Sequence, residues 1–280
     1  MKTWYLIIDV EKCENCNNCF LACKDEHVEN DWKGYAAPQA PQGRSWINIY
    51  TNERGEFPFI DVGYLPVPCM HCDNAPCVKA SRDGAVYKRP DGVVIIDPVK
   101  SRGQKEIVKA CPYDAIQWNE DLDAPQKCTL CAHLLDEGWT QTRCVQACPT
   151  GALSLRQADE NEINEIVKTE GLEAYREGLN THPRVYYKNL YRFTRCFIGG
   201  SVAVRIGDKD ECAEGARVTL LNGGDEAIAE SVTDAFGDFK FDDLEEASGT
   251  YTLRIEYTGY QTKSVEVKLT QSVYAGTIYL

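Results

Sequence analysis

The spacing of apolar positions changes character along the chain. In the first part they gather in short runs separated by polar loops. Trp4-Tyr5-Leu6-Ile7-Ile8, closed by Asp9, reads as a strand, and Val93-Val94-Ile95-Ile96 is a buried strand stopped by Asp97-Pro98. Ala115-Ile116-Gln117-Trp118 and Ala152-Leu153-Ser154-Leu155 are strands, each placed shortly after a Cys-Pro turn. Over 159–179 the period lengthens: Ile163, Ile166, Val167, Leu172 and Tyr175 mark one face of a polar helix. From about residue 197 the period falls to two. Ser201–Ile206, Arg217–Leu221, Ala227–Val232, Phe239–Phe241, Tyr251–Tyr257, Lys263–Leu269 and Val273–Ile278 predict seven short strands, several separated by Gly-Gly, Gly-Asp, Ser-Gly or Thr-Gly turns. That is the signature of a small β-sandwich of the immunoglobulin or transthyretin type. The expected class is therefore α+β, with a domain over 1–195 and an all-β sandwich over 196–280.

Two stretches fit neither pattern. Residues 24–66 form a long insert with Pro, Gly and the aromatics Trp32, Tyr35, Trp46, Phe57 and Tyr64, expected to be a loop over the core or a docking surface. His182–Phe193 alternates aromatic and basic residues, which raises the question of a nucleic-acid patch. The chain's formal net charge of −13 speaks against nucleic acid, because phosphates need a basic face. The segment is expected to pack on the preceding domain instead. No apolar run reaches the roughly 20 residues of a membrane span. The opening strand is too short and too soon charged for a signal peptide, so a cytoplasmic location is expected.

Cysteine changes the picture most. Of 14 cysteines, all but Cys196 and Cys212 lie before residue 149. Disulfide scaffolds are small and secreted, which this chain is not expected to be. Zinc sites pair two Cys-x-x-Cys motifs around one ion. Iron–sulfur clusters use a run of three cysteines and a remote fourth. The first run, Cys13-x2-Cys16-x2-Cys19-x3-Cys23, is the bacterial ferredoxin run, with Lys24 in place of the proline that often follows, and a zinc ribbon has no use for its middle cysteine. Two further runs are Cys69-x2-Cys72-x4-Cys77 and Cys128-x2-Cys131-x12-Cys144-x3-Cys148-Pro149. Cys111-Pro112 stands alone; counting back with ferredoxin spacing puts Ser101, Gln104 and Ile107 where three cysteines would be, and Ser81 where the second run would have its fourth.

These are four half-motifs of a duplicated ferredoxin. Each half gives three ligands to one cluster and its last cysteine to its partner's. Pairing the first half with the fourth, and the second with the third, gives three complete sets: Cys13, Cys16, Cys19 and Cys148; Cys128, Cys131, Cys144 and Cys23; Cys69, Cys72, Cys77 and Cys111. All four missing ligands then belong to one site, whereas pairing neighbours would spoil two. Three 4Fe–4S clusters and one vacated, protein-filled site are expected. His71 and His133, inside or beside the cysteine loops, are either donors to cluster sulfur or packing residues. Cys196 and Cys212 are expected to be free thiols.

The segments around Cys13–Glu26, Pro68–Cys77 and Ala110–Tyr113 resemble the iron–sulfur subunits of the dimethyl sulfoxide reductase family. A three-cluster count with an appended sandwich is similar to a branch that moves or removes hydroxyl groups on polyhydroxylated aromatic rings. The resemblance implies an electron-transfer subunit with no catalytic residues of its own. It also implies a large catalytic partner holding molybdenum (or tungsten) with two pterin guanine dinucleotides. An electron-transfer subunit of a respiratory molybdenum reductase for an inorganic or N-/S-oxide substrate is the alternative, and a free polyferredoxin a third.

Overall fold

The computed structural model describes all 280 residues, which divide into two compact units. The first comprises Met1–Tyr50 with Tyr64–Leu190, the second Thr51–Gly63 with Tyr191–Leu280.

In the first unit, the opening apolar run forms the strand Thr3–Asp9 and lies at the centre of a three-stranded sheet. Leu153–Ala158 pairs with it antiparallel, with Leu6 opposite Leu155. Val185–Lys188 pairs parallel on its other edge, with Leu6 opposite Val185. Four successive residues, Tyr5 to Ile8, are buried, so both faces of this central strand are covered, and such a strand reads as a continuous apolar run. The middle of the aromatic-basic stretch is therefore a sheet strand of the first unit, as expected, whereas its end, from Tyr191, starts a short helix, Tyr191–Thr194, and belongs to the second unit. Val185 and Tyr187 point inward, and the Tyr187 hydroxyl donates to the Pro66 carbonyl at 2.9 Å.

The polar helix is Glu160–Glu170, shorter than the 159–179 periodicity predicts. Its start is a capping box: the Asp159 carboxylate accepts from the Asn161 and Glu162 amides, and the Glu162 side chain accepts from the Asp159 amide. Gly171 in the left-handed conformation ends it, which the apolar spacing of Leu172 and Tyr175 concealed. Short hairpins, Val86–Lys88 with Val94–Ile96 and Gln117–Asn119 with Ala124–Gln126, fill the space between cysteine runs.

The insert is more ordered than expected. It contains a two-stranded hairpin, Ile47–Glu56 with Phe59–Pro68, whose tip belongs to the second unit and so departs from a division at 195/196. Charge holds the tip there. The Arg54 guanidinium, almost wholly buried, pairs with Asp61 and with Asp242 at 2.8 Å, while Lys240 and Arg192 reach Asp61 at 2.7 and 2.8 Å.

The second unit is a sandwich of eight strands, not seven. One sheet is built on the long strand Cys196–Ile206. Lys209–Cys212 and Asp238–Leu244 pair along its length, and Val273–Tyr279 pairs parallel to it. The other sheet has the order Ala227–Val232, Arg217–Leu221, Gly249–Glu256, Lys263–Leu269. Lys209–Cys212 escaped the sequence pattern because all four residues are exposed and polar, so no alternation marks it. Between the sheets lies a core that includes Val202, Val204, Val218, Leu220, Phe239, Phe241, Leu253 and Ile255.

Candidate metal centres

Three Cys-x2-Cys loops are built alike. In each, the amide two residues beyond the first cysteine turns back to that cysteine's sulfur: Asn15 to Cys13, His71 to Cys69 at 3.4 Å, Leu130 to Cys128 at 3.3 Å. The turning residue has positive φ in all three, 52°, 46° and 54°. That left-handed step is costly for a side chain such as Leu130, and it coils the loop so that successive sulfurs face one space. A remote cysteine completes each space from another part of the chain.

Cys13, Cys16 and Cys19 lie at the entrance to the helix Asn18–His27, and Cys13 feels the charge of Cys148. On that helix Cys19, Cys23 and His27 are spaced by four residues and share its buried face. Cys23 thereby joins Cys128, Cys131 and Cys144 in lining a second cavity. Cys69, Cys72, Cys77 and Cys111 line a third, with Cys77 carried by the short helix Pro76–Ala80. Neighbouring sets are close enough to interact: Cys19 with Cys144, and Cys128 with Cys69. The order is thus first, second, third.

As thiols, nine of these cysteines resist ionisation. Burial, then the neighbouring sulfurs, pushes Cys19 and Cys72 up to about 12, and Cys77 to about 11. Burial likewise raises Cys128 and Cys131 well above the ordinary value. Cys148 is the opposite case. Burial would raise it, but the Leu153, Ala152 and Thr150 amides and the Thr150 hydroxyl outweigh that and lower it. Sulfurs held this close can all ionise only with a positive group between them. The second and third sets each line a space with four sulfurs. That donor set fits a cluster core bound by four thiolates.

The four non-cysteine positions are packed with protein. Ser101, Gln104 and Ile107 are buried. The Gln104 side chain accepts from the Arg82 amide at 2.9 Å and donates to the Lys100 carbonyl at 2.7 Å. The Ser81 hydroxyl donates to the Val78 carbonyl and accepts from the Val86 amide. The helix Glu106–Lys109, which carries Ile107, packs on Pro76–Ala80.

Neither histidine singled out from sequence bonds a cysteine sulfur through its ring. His71 Nδ1 accepts from the Val94 amide at 3.0 Å, which assigns its proton to Nε2, and burial together with Lys127, Lys88 and Arg184 holds it neutral. His133 bonds Glu26 at 2.9 Å and stacks on Trp32 with ring centroids 4.0 Å apart. The sequence pattern passes over a third histidine, His27. It lines the second cavity, and burial with the nearby His133 lowers it to about 3. Its only signal is the four-residue step from Cys23. Cys196 is buried in the sandwich core, and Cys212 is exposed.

Two domain families and several curated proteins match the chain. Residues 60–158 match the 4Fe-4S dicluster domain, and 201–277 match the carboxypeptidase regulatory-like domain. The iron-sulfur subunit of a putative dimethyl sulfoxide reductase of Halobacterium salinarum is 29% identical, covering 68% of this chain and 80% of that one. A tetrathionate reductase subunit of Salmonella typhimurium is 31% identical over 66% of this chain and 72% of its own length. The chain belongs to the iron–sulfur subunits of the dimethyl sulfoxide reductase family. Within it, the pyrogallol hydroxytransferase small subunit of Pelobacter acidigallici is 46% identical over the whole of both chains. No helix is long and apolar enough to cross a membrane.

Proposed function

We propose that the chain holds three 4Fe–4S clusters, on Cys13/Cys16/Cys19/Cys148, Cys23/Cys128/Cys131/Cys144 and Cys69/Cys72/Cys77/Cys111. In this reading it is the electron-transfer subunit of a cytoplasmic molybdenum (or tungsten) enzyme acting on polyhydroxylated aromatic rings. A large partner would hold the metal with two pterin guanine dinucleotides and bind the substrate, pyrogallol being the first to test. Bound clusters supply one-electron transfer. The chain's own residues fix their order through the crossed Cys23 and Cys148, and bury the second and third sets away from water.

The observation that carries this reading is the full-length likeness to the Pelobacter small subunit, sandwich included. The dimethyl sulfoxide and tetrathionate reductase relatives named above cover about two thirds of the chain. Repetition of one loop geometry at Cys13, Cys69 and Cys128 supports a duplicated ferredoxin architecture. Reduced thiols in this number suit the cytoplasm.

The test is anaerobic isolation of the native complex. It should bring a larger molybdenum or tungsten protein, convert pyrogallol, and contain about twelve iron atoms per chain of this subunit, four for each cluster. Cys72→Ser should lower iron by about four and Ser81→Ala by none. A complex that ignores pyrogallol and reduces an N- or S-oxide would move the assignment to a respiratory reductase. Zinc in place of iron would remove it.

A further inference from the structure

Lys127 is a buried cation without a carboxylate. Its residue is 2% exposed, and its ammonium donates to the Val94 carbonyl and, at 3.1 Å, to the Cys128 carbonyl. No acidic side chain pairs with it. Lys88, the other lysine near the third set, differs: it binds the His71 and Cys72 carbonyls but is also paired with Asp73 at 2.6 Å. The two carbonyls held by Lys127 belong to different walls. Val94 lines the third cavity and Cys128 the second, so the ammonium bridges the partition between them. Its charge is felt by Cys77 and Cys111, both of the third set.

An isolated ammonium taken out of water costs several kcal/mol unless something negative compensates it. Two carbonyl dipoles are a partial answer. Four thiolates around a 2+ core carry a net charge of −2, and reduction by one electron makes it −3. Resting on the cluster assignment above, we infer that Lys127 is the counter-charge of the cluster on Cys69, Cys72, Cys77 and Cys111. It favours that cluster's reduced form over the oxidised one and raises its potential relative to the cluster on Cys23, Cys128, Cys131 and Cys144. Lys127 is thus a positioning and tuning residue of the relay and touches no substrate.

Three variants of the intact anaerobic complex separate charge from scaffolding. Lys127→Gln keeps a donor for the carbonyls and removes the charge. Lys127→Met removes both, and Lys127→Arg keeps the charge. Iron is counted first, and each cluster is then titrated by electron paramagnetic resonance against potential. In Lys127→Gln with full iron, the equilibrium constant for reducing the third cluster should fall about tenfold or more, equivalent to about 59 mV for one electron. The first cluster should stay put, and Lys127→Arg should return the third to the wild-type value.

Full iron with an unshifted third cluster in Lys127→Gln overturns the inference and leaves the cluster assignment standing. If Lys127→Gln and Lys127→Met lose about four irons while Lys127→Arg keeps them, the counter-charge role is supported. Equal loss in all three variants overturns it in favour of a steric role. Failure of the assignment itself shows separately, as wild-type protein lacking the third cluster's signal.

Discussion

Ile107 stands where a duplicated ferredoxin would have a ligand, yet it is fully buried in a short helix packed against the helix that carries Cys77. If the vacated site is now ordinary core, Ile107→Ala should behave as a core truncation. The change deletes three carbons, a transfer loss of roughly 2.4 kcal/mol at about 0.8 kcal/mol each. The void adds to this, because neighbours tied as firmly as Gln104 collapse only in part, for a total of about 3–4 kcal/mol. Cluster proteins rarely unfold in two states, so a rate is the better observable. Loss of the clusters' visible absorbance in anaerobic guanidinium should accelerate by about 10–30-fold if half of the penalty is already felt in the transition state, and by about 140–700-fold if all of it falls on unfolding. Iron in the purified variant should equal wild type, and Ile107→Val, at about 0.5–1.5 kcal/mol, should lie between. A rate within threefold of wild type, with full iron, would refute the claim that side chains have closed this site.

Other outcomes follow from the same reasoning. Burial would raise Asp61 and Asp242, but Lys240, Arg192 and Arg54 around the first, and Arg54 and Lys240 around the second, outweigh it and hold both carboxyls low. A carboxyl with a lower folded than unfolded pKa stabilises above its unfolded value and loses that as pH falls, so protection of Asp238–Leu244 against hydrogen exchange should drop below about pH 4. Asp61→Asn should flatten that dependence; an unchanged slope would assign it elsewhere. Gly237 has φ +78° and faces the Val202 carbonyl, so Gly237→Ala should cost more than about 1 kcal/mol, read as faster exchange in the sandwich strands. Asp159→Ala removes a capping box and should cost about 1 kcal/mol, measurable as faster exchange over Glu160–Glu170 with iron unchanged.

Much of the candidate site was legible because cluster chemistry constrains spacing. Runs such as Cys13 to Cys23 leave few alternatives, and counting absent cysteines pointed to Ser81, Ser101, Gln104 and Ile107, which the structure packs with protein. Period-two alternation likewise marked the strands whose inner faces are buried, and failed at Lys209–Cys212, where no face is. His27 and Lys127 were invisible for a different reason. Their meaning depends on what lies across a cavity or a partition, and no local pattern distinguishes a buried lysine from an exposed one.

The sequence by itself determined where the cysteines crowd, that their runs carry ferredoxin spacing, and that a sandwich follows, since each rests on spacing along the chain. Only the tertiary structure decided that Cys19 comes within electrostatic reach of Cys144 and Cys128 of Cys69, that the tip of the 24–66 insert belongs to the second unit, and that an ammonium without a carboxylate partner stands between two cavities. These are relations between distant segments, set by packing and by the cost of burying charge, and neither quantity is defined until the chain has folded.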